Sequence, residues 1–140
     1  MNENETIEKI LRMKKIAVVG LSDNPDRLSF GVAKYLESHG YEIMPVNPAL
    51  HGRMGHKSYP DLASVLQKVE VVDIFRKSEA VPEIVKMAIA IGAAAIWMQE
   101  GVVNAPAAAE AEAAGLLVVM DRCMMKEHEK FSQKFLGIGI

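Results

Sequence analysis

The sequence predicts a single α/β domain over residues 1–140, built on a doubly wound parallel sheet of five strands. Three observations carry this. Five short apolar, β-rich runs alternate with helical patterns along almost the whole chain. Most of these runs are continuous rather than alternating, as strands buried on both faces of a parallel sheet must be. Finally, 140 residues suffice for one real core and leave little room for a second. The core spans about residues 14–130, with a helix flanking it at each end.

The predicted strands are "KKIAVVG" (Lys14–Gly20), "YEIMPVN" (Tyr41–Asn47), "VEVVDIF" (Val69–Phe75), "AAAIWM" (Ala93–Met98) and "LLVVMD" (Leu116–Asp121). Between the first two, Ser29 can cap a helix through Ser38, with Val32, Tyr35 and Leu36 on one face and Gly40 as the stop. "YPDLASVLQKV" reads as a short helix after Pro60. "EAVPEIVKMAIAIG" sets Val81, Ile84, Val85, Ala88 and Ile91 on one face, with Pro82 tolerable in the first turn. "NAPAAAEAEAAG" follows the same plan, its alanines allowing close approach to the sheet. A leading helix (about Thr6–Met13) and a trailing one (about Cys123–Phe135) complete the set. Right-handed βαβ crossovers follow from this alternation, with an expected strand order of 3-2-1-4-5 and 2-1-3-4-5 as the alternative.

Composition excludes several classes of function. A net charge of −2 gives no overall field that would draw the chain to nucleic acid. The single cysteine, Cys123, precludes an internal disulfide and favours a cytoplasmic setting. "MNENETIEK" is polar and acidic, unlike a secretory signal. No apolar stretch approaches the ~18 residues a membrane helix needs, and mean hydropathy is +0.10. The expectation is a cytoplasmic protein with a small-molecule nucleotide ligand; a protein partner or a homo-oligomer stays open.

In an open parallel sheet, ligands bind beyond the carboxyl ends of the strands, where strand order reverses. Residues just past each strand are therefore the candidate contacts. After the first strand come Gly20, Leu21 and Ser22, then a polar loop to Arg27, then Ser29 and Phe30 at a helix start. Gly20 permits a sharp turn and close ligand approach. The helix beginning near Ser29 offers N–H groups and a positive dipole end to a pyrophosphate, and Arg27 adds a charged fork. The second and third glycines of G-x-G-x-x-G are missing, so this turn alone does not specify a nucleotide.

The second strand ends at Asn47-Pro48, without the acid that NAD-binding domains use to hold the ribose diol. His51, Arg53, His56 and Lys57 follow, a basic set that suits an extra ribose phosphate or is solvated surface. NADP or coenzyme A (CoA) fits these residues; NAD fits poorly. Phe75, Arg76 and Lys77 follow the third strand, and Arg76 is a further cationic candidate or a surface ion pair. Trp97 packs either on a ligand or in the core. Gln99, Glu100 and Gly101 form a polar turn after the fourth strand.

"VVGLSDNPDRLSFGVAKYL", "GYEIMPVNP", "VDIFRKSEAVPEIV", "IWMQEGV" and "VVMDRC" occur in this order. Together they resemble the small stand-alone CoA-binding proteins, which are similar to the CoA-binding domain of the succinyl-CoA synthetase α subunit. The resemblance covers about Lys14 to Lys130 and implies a Rossmann-like fold with CoA or an acyl-CoA as ligand. It implies that Gly20 to Ser22 match the synthetase's phosphate turn, and Met98 to Glu100 the turn that touches its coenzyme. The synthetase also has a lysine after its second strand. Here that neighbourhood reads Ala49-Leu50-His51, leaving Arg53 or Lys57 to take its place.

The synthetase's phosphorylated histidine lies in a second domain for which this chain has no counterpart. None of His39, His51, His56 or His128 falls in a nucleophile–base–orienter arrangement, and no metal-ligand spacing occurs. No catalytic residue or metal ligand is therefore assigned. The expected function is binding of CoA or acyl-CoA as a carrier, sensor or partner module. The alternatives are an NADP-dependent oxidoreductase and a Rossmann-like scaffold without ligand. Cys123, just past the fifth strand, is either a reactive thiol or a small apolar packing residue.

Overall fold

A computed structural model describes residues 1–50 and 58–139. In chain order the elements are α1 (Glu3–Leu11), β1 (Lys15–Val19), α2 (Leu28–Ser38), β2 (Glu42–Val46), β3 (Val71–Ile74), α3 (Val81–Ala90), β4 (Ala95–Met98), α4 (Ala105–Ala113), β5 (Leu117–Val119) and α5 (Met124–Gly139). All strand pairs are parallel, so the chain is a doubly wound, Rossmann-like α/β fold. Every residue of β3 and β4 is buried, the physical origin of their continuous apolar runs. On one face Val72, Ile74, Ile96 and Met98 pack under α3 and α4, through Val85, Ala88, Ala107 and Ala111. On the other, Val18, Val71 and Trp97 pack under α1, α2 and the start of α5, through Ile10, Val32, Leu36 and Met124.

The strand order is β2-β1-β3-β4-β5, which corrects the expected 3-2-1-4-5 in favour of the alternative. Pro45 explains the difference. Lacking an N–H, a proline is confined to edge strands or bulges, so β2 is poorly suited to an interior place. The Pro45 carbonyl turns outward and accepts from Tyr59 N–H at 2.8 Å, while Asn47 N–H donates to the Tyr59 carbonyl at 2.8 Å. Tyr59 thus occupies the outer edge of β2 that β3 would have needed.

The helix expected after Pro60 is also corrected: only a 3₁₀ turn, Leu62–Ser64, forms there. Asp61 Oδ1 accepts from both Ser64 N–H (2.9 Å) and Ser64 Oγ (2.6 Å), a side-chain closure that competes with helix propagation. Val65 then turns extended. The other helices form within a few residues of expectation. Ser29, however, does not cap α2. Arg27 holds the cap position, and Ser29 Oγ instead accepts from Ser22 N–H at 3.0 Å, which binds the preceding loop to the helix.

Candidate functional site

A cleft of about 1030 Å³ opens at the carboxyl ends of β1, β3 and β4, where the order reverses between β1 and β3. Its centre is a backbone crossing. Gly20 adopts φ +91° and donates its N–H to Val46 O at 2.8 Å. A Cβ on Gly20 would strike the Phe75 carbonyl and lie 2.9 Å from Arg76 Cδ. Only glycine lets the exits of β1 and β3 meet this closely.

The loop after Gly20 is folded by its own side chains. Ser22 Oγ accepts from Asn24 N–H (3.1 Å), and Asn24 Oδ1 accepts from Asp26 N–H (2.9 Å). Asn47 ties the β2 exit to the same loop, donating from Nδ2 to Leu21 O (3.1 Å) and accepting from Ala49 N–H (3.0 Å). Consequently the amides of Gly20 and Ser22 are both already engaged within the protein. In α2's first turn the N–H groups of Phe30 and Gly31 donate to Arg27 O (3.1 and 3.4 Å); those of Leu28 and Ser29 have no helical acceptor and face the end of the helix that favours an anion.

Of the predicted contacts, Gly20, Ser22, Arg27, Asn47, Phe75, Arg76, Gln99 and Glu100 line this one cleft. Pro48 lines an adjoining groove of about 340 Å³ with Val46, Pro60, Leu62, Ile84 and Met87. Gly20, Arg76 and Ala80 belong to both, so groove and cleft are continuous. Leu21 and Ser29 are buried supports beneath the turn, and Met98 is core. Phe30 is half-buried outside the cleft lining, with Lys34 Nζ 5.6 Å from its ring centroid. Arg53 lies outside the described residues, as do His51, His56 and Lys57.

Trp97 is fully buried and its Nε1 donates to Arg122 O at 2.8 Å, so the core reading is correct for it. Cys123 is buried at 2 % exposure among the residues under α1, α2 and α5, away from the cleft lining. Among the described residues, no group of three His, Cys, Asp or Glu side chains could hold a metal ion. No helix among them is long and apolar enough to cross a membrane.

Sequence reasoning missed Glu79 and Ala80, which line the cleft from the loop after β3, opposite Val102 from the loop after β4. These two loops are joined: Ser78 Oγ accepts from Val103 N–H (2.9 Å), and Asn104 Nδ2 donates to Ser78 O (3.0 Å). Asp73 was missed as well, hidden inside an apolar run. It is fully buried, neither carboxylate oxygen has a partner among the described residues, and burial pushes its carboxyl well above the usual range. Charges of both signs line the wall. Arg27, Arg76, Lys77 and Glu79 stand on the β1 and β3 side, while Glu100, on the β4 side, pairs with Lys126 at 3.0 Å.

Comparison with known proteins agrees with this architecture. The chain is 39 % identical over 124 residues to the uncharacterized protein YneT of Bacillus subtilis, covering 89 % of this chain and 92 % of the relative. A solved structure of a hypothetical protein from Pyrococcus horikoshii superposes with a TM-score of 0.87 at 45 % identity, covering 92 % of each chain. One from Thermus thermophilus gives 0.85 at 31 % identity, covering 93 % of this chain and 98 % of the other. The CoA binding domain family matches residues 14–129. With that match spanning nearly the whole sheet and every wall of the cleft, the chain belongs to the CoA-binding domain family.

Proposed function

We propose that this protein binds CoA or an acyl-CoA reversibly, as a carrier, sensor or partner module rather than as a catalyst. The observation that carries the reading is the continuity of a polar cleft bearing Arg27, Arg76 and Lys77 with an apolar groove across the Gly20 crossing. CoA has the matching duality, a pyrophosphate between an aromatic base and a long neutral arm. The pyrophosphate fits the first turn of α2 with Arg27 and Arg76, by charge and by unpaired backbone donors. The adenine fits the groove between Pro48, Leu62, Ile84 and Met87, where flat apolar surface is available. The 3′-phosphate then falls to Arg53 or Lys57, in the basic stretch following Pro48 in sequence. The pantetheine arm runs toward Gln99, Glu100 and Val102.

Scanning calorimetry of the protein with CoA, NADP and NAD tests this. A ligand that binds only the folded state raises the apparent Tm by mass action. CoA should raise it most and NAD least. An unchanged Tm with CoA at millimolar concentration would refute the proposal.

A further inference from the structure

We propose that the surface around Lys15 and Glu42 is a self-complementary interface through which two copies of this chain form a twofold dimer. These are the first residues of β1 and β2, at the end of the sheet opposite the cleft. The surface shares no lining residue with the cleft or the apolar groove, so the proposal stands apart from the CoA reading.

A knob is the first observation. Leu66 is 94 % exposed, more than any other large apolar side chain among the described residues. Leu28 and Met87 are also exposed, but they line the cleft and the groove, where a ligand covers them. Leu66 has no such role. Its segment is nevertheless anchored on both sides, because Val65 packs against the core and Val69 is buried in it.

A hollow lies beside the knob. Gln67, the next residue, lines a cavity of about 400 Å³ together with Lys15, Glu42, Ile43, Met44 and Tyr59. Buried Met44 and half-buried Tyr59 give it apolar wall. A projecting apolar side chain and an apolar recess on one patch suit an isologous contact, in which each copy both gives and receives the knob.

Charge selects the occupant. Lys15 and Glu42 are register partners on adjacent strands and line the same cavity. Neither makes an ion pair among the described residues. Glu70, whose Oε1 is nearby, already accepts from the backbone N–H groups of Lys14 and Lys15 at 3.1 Å each. Opposite charges side by side are their own complement under a twofold rotation: Lys15 of each copy meets Glu42 of the other. A partner with a surface of one sign would attract one of these charges and repel its neighbour.

Sedimentation of the whole protein over rising concentration tests the proposal. The mass should move from 15.4 kDa toward twice that value. Leu66→Asp changes a fully exposed side chain and should weaken the dimer at least about tenfold, since two buried leucines are lost. Lys15→Glu and Glu42→Lys should each weaken it alone, because like charges then meet. An equimolar mixture of these two variants should dimerise again, as only the mixed pair restores both ion pairs. Neither a folding defect nor general stickiness gives that rescue. A wild type that stays monomeric up to millimolar concentration overturns the proposal and leaves the knob and hollow to a different partner. A dimer that Leu66→Asp does not weaken overturns it too, as does a mixture no more dimeric than its separate components.

Discussion

The Tyr35 hydroxyl and His128 Nδ1 lie 2.8 Å apart and join α2 to α5 far from the cleft. The His128 ring also meets Tyr35, His39 and Tyr41 edge-on, at 5.4, 5.0 and 5.6 Å between centroids. Burial, then His39 and Lys14, hold its pKa below the ordinary histidine value, which favours the neutral ring in the folded protein. A base depressed in the folded state contributes stability that is complete above its unfolded pKa of about 6.5. That stability is lost as pH falls toward the folded value, by up to about 1.4 kcal/mol per pH unit. Tm should therefore be flat above about pH 7.5 and decline below about 6.5. His128→Phe should flatten the decline; an unaltered profile in that variant would assign it to other groups.

Gly20→Ala should be among the most damaging substitutions in the chain. It combines a positive φ with a clash against the Phe75 carbonyl, which as backbone cannot rotate away. Strain and overpacking together should cost about 2–4 kcal/mol. Urea unfolding measures the loss directly, and a cost under about 0.5 kcal/mol, the range of ordinary surface changes, would mean the crossing relaxes easily.

Arg27→Ala should weaken CoA binding by about 1–3 kcal/mol, the range for a charge-assisted hydrogen bond. Because Arg27 is exposed, its contribution should shrink with added salt. Titration at two ionic strengths checks both points, and equal affinities for mutant and wild type would remove Arg27 from the site.

CoA should bind more tightly than dephospho-CoA, through Arg53 or Lys57, with the gap narrowing in high salt. Matching affinities for the two ligands would reduce this basic stretch to solvated surface.

Asp73→Asn should stabilise the protein near neutral pH. A carboxyl whose folded pKa is raised binds a proton more tightly when folded, so stability falls as pH rises above its unfolded pKa of about 4. The slope is up to about 1.4 kcal/mol per pH unit until the folded group ionises. Asparagine does not titrate, so its advantage should grow from about pH 4 upward. A stability difference independent of pH would show that Asp73 finds a partner.

Much of the fold was legible because burial on both faces writes a strand as a continuous apolar run, as in "VEVVDIF" and "AAAIWM". Strand order was less so, since right-handed crossovers admit both arrangements. Pro45 carried the deciding signal, visible only once its edge position is considered. Eight predicted contacts gather in the cleft because strand ends in a parallel sheet share one edge. Glu79 and Ala80 escaped notice because their places depend on how two loops bond through Ser78, a relation between distant segments. Ser29 was misread because a serine at a helix start caps or bonds elsewhere with equal ease, and the loop it meets decides.

The pairing of α1 with the end of the chain bears on how the protein assembles during synthesis. Glu3 meets Arg122 at 2.5 Å and Glu8 meets Lys134 at 3.0 Å, contacts spanning 119 and 126 residues of sequence. Ile7, Ile10 and Leu11 are buried on the face that Val119 and Met124 help to close. Because α1 is synthesised more than a hundred residues before β5 and α5, its apolar stripe is only partly covered, by β1 and α2, until they have followed. Vectorial translation therefore cannot complete this layer piecemeal; its closing step waits for β5 and α5.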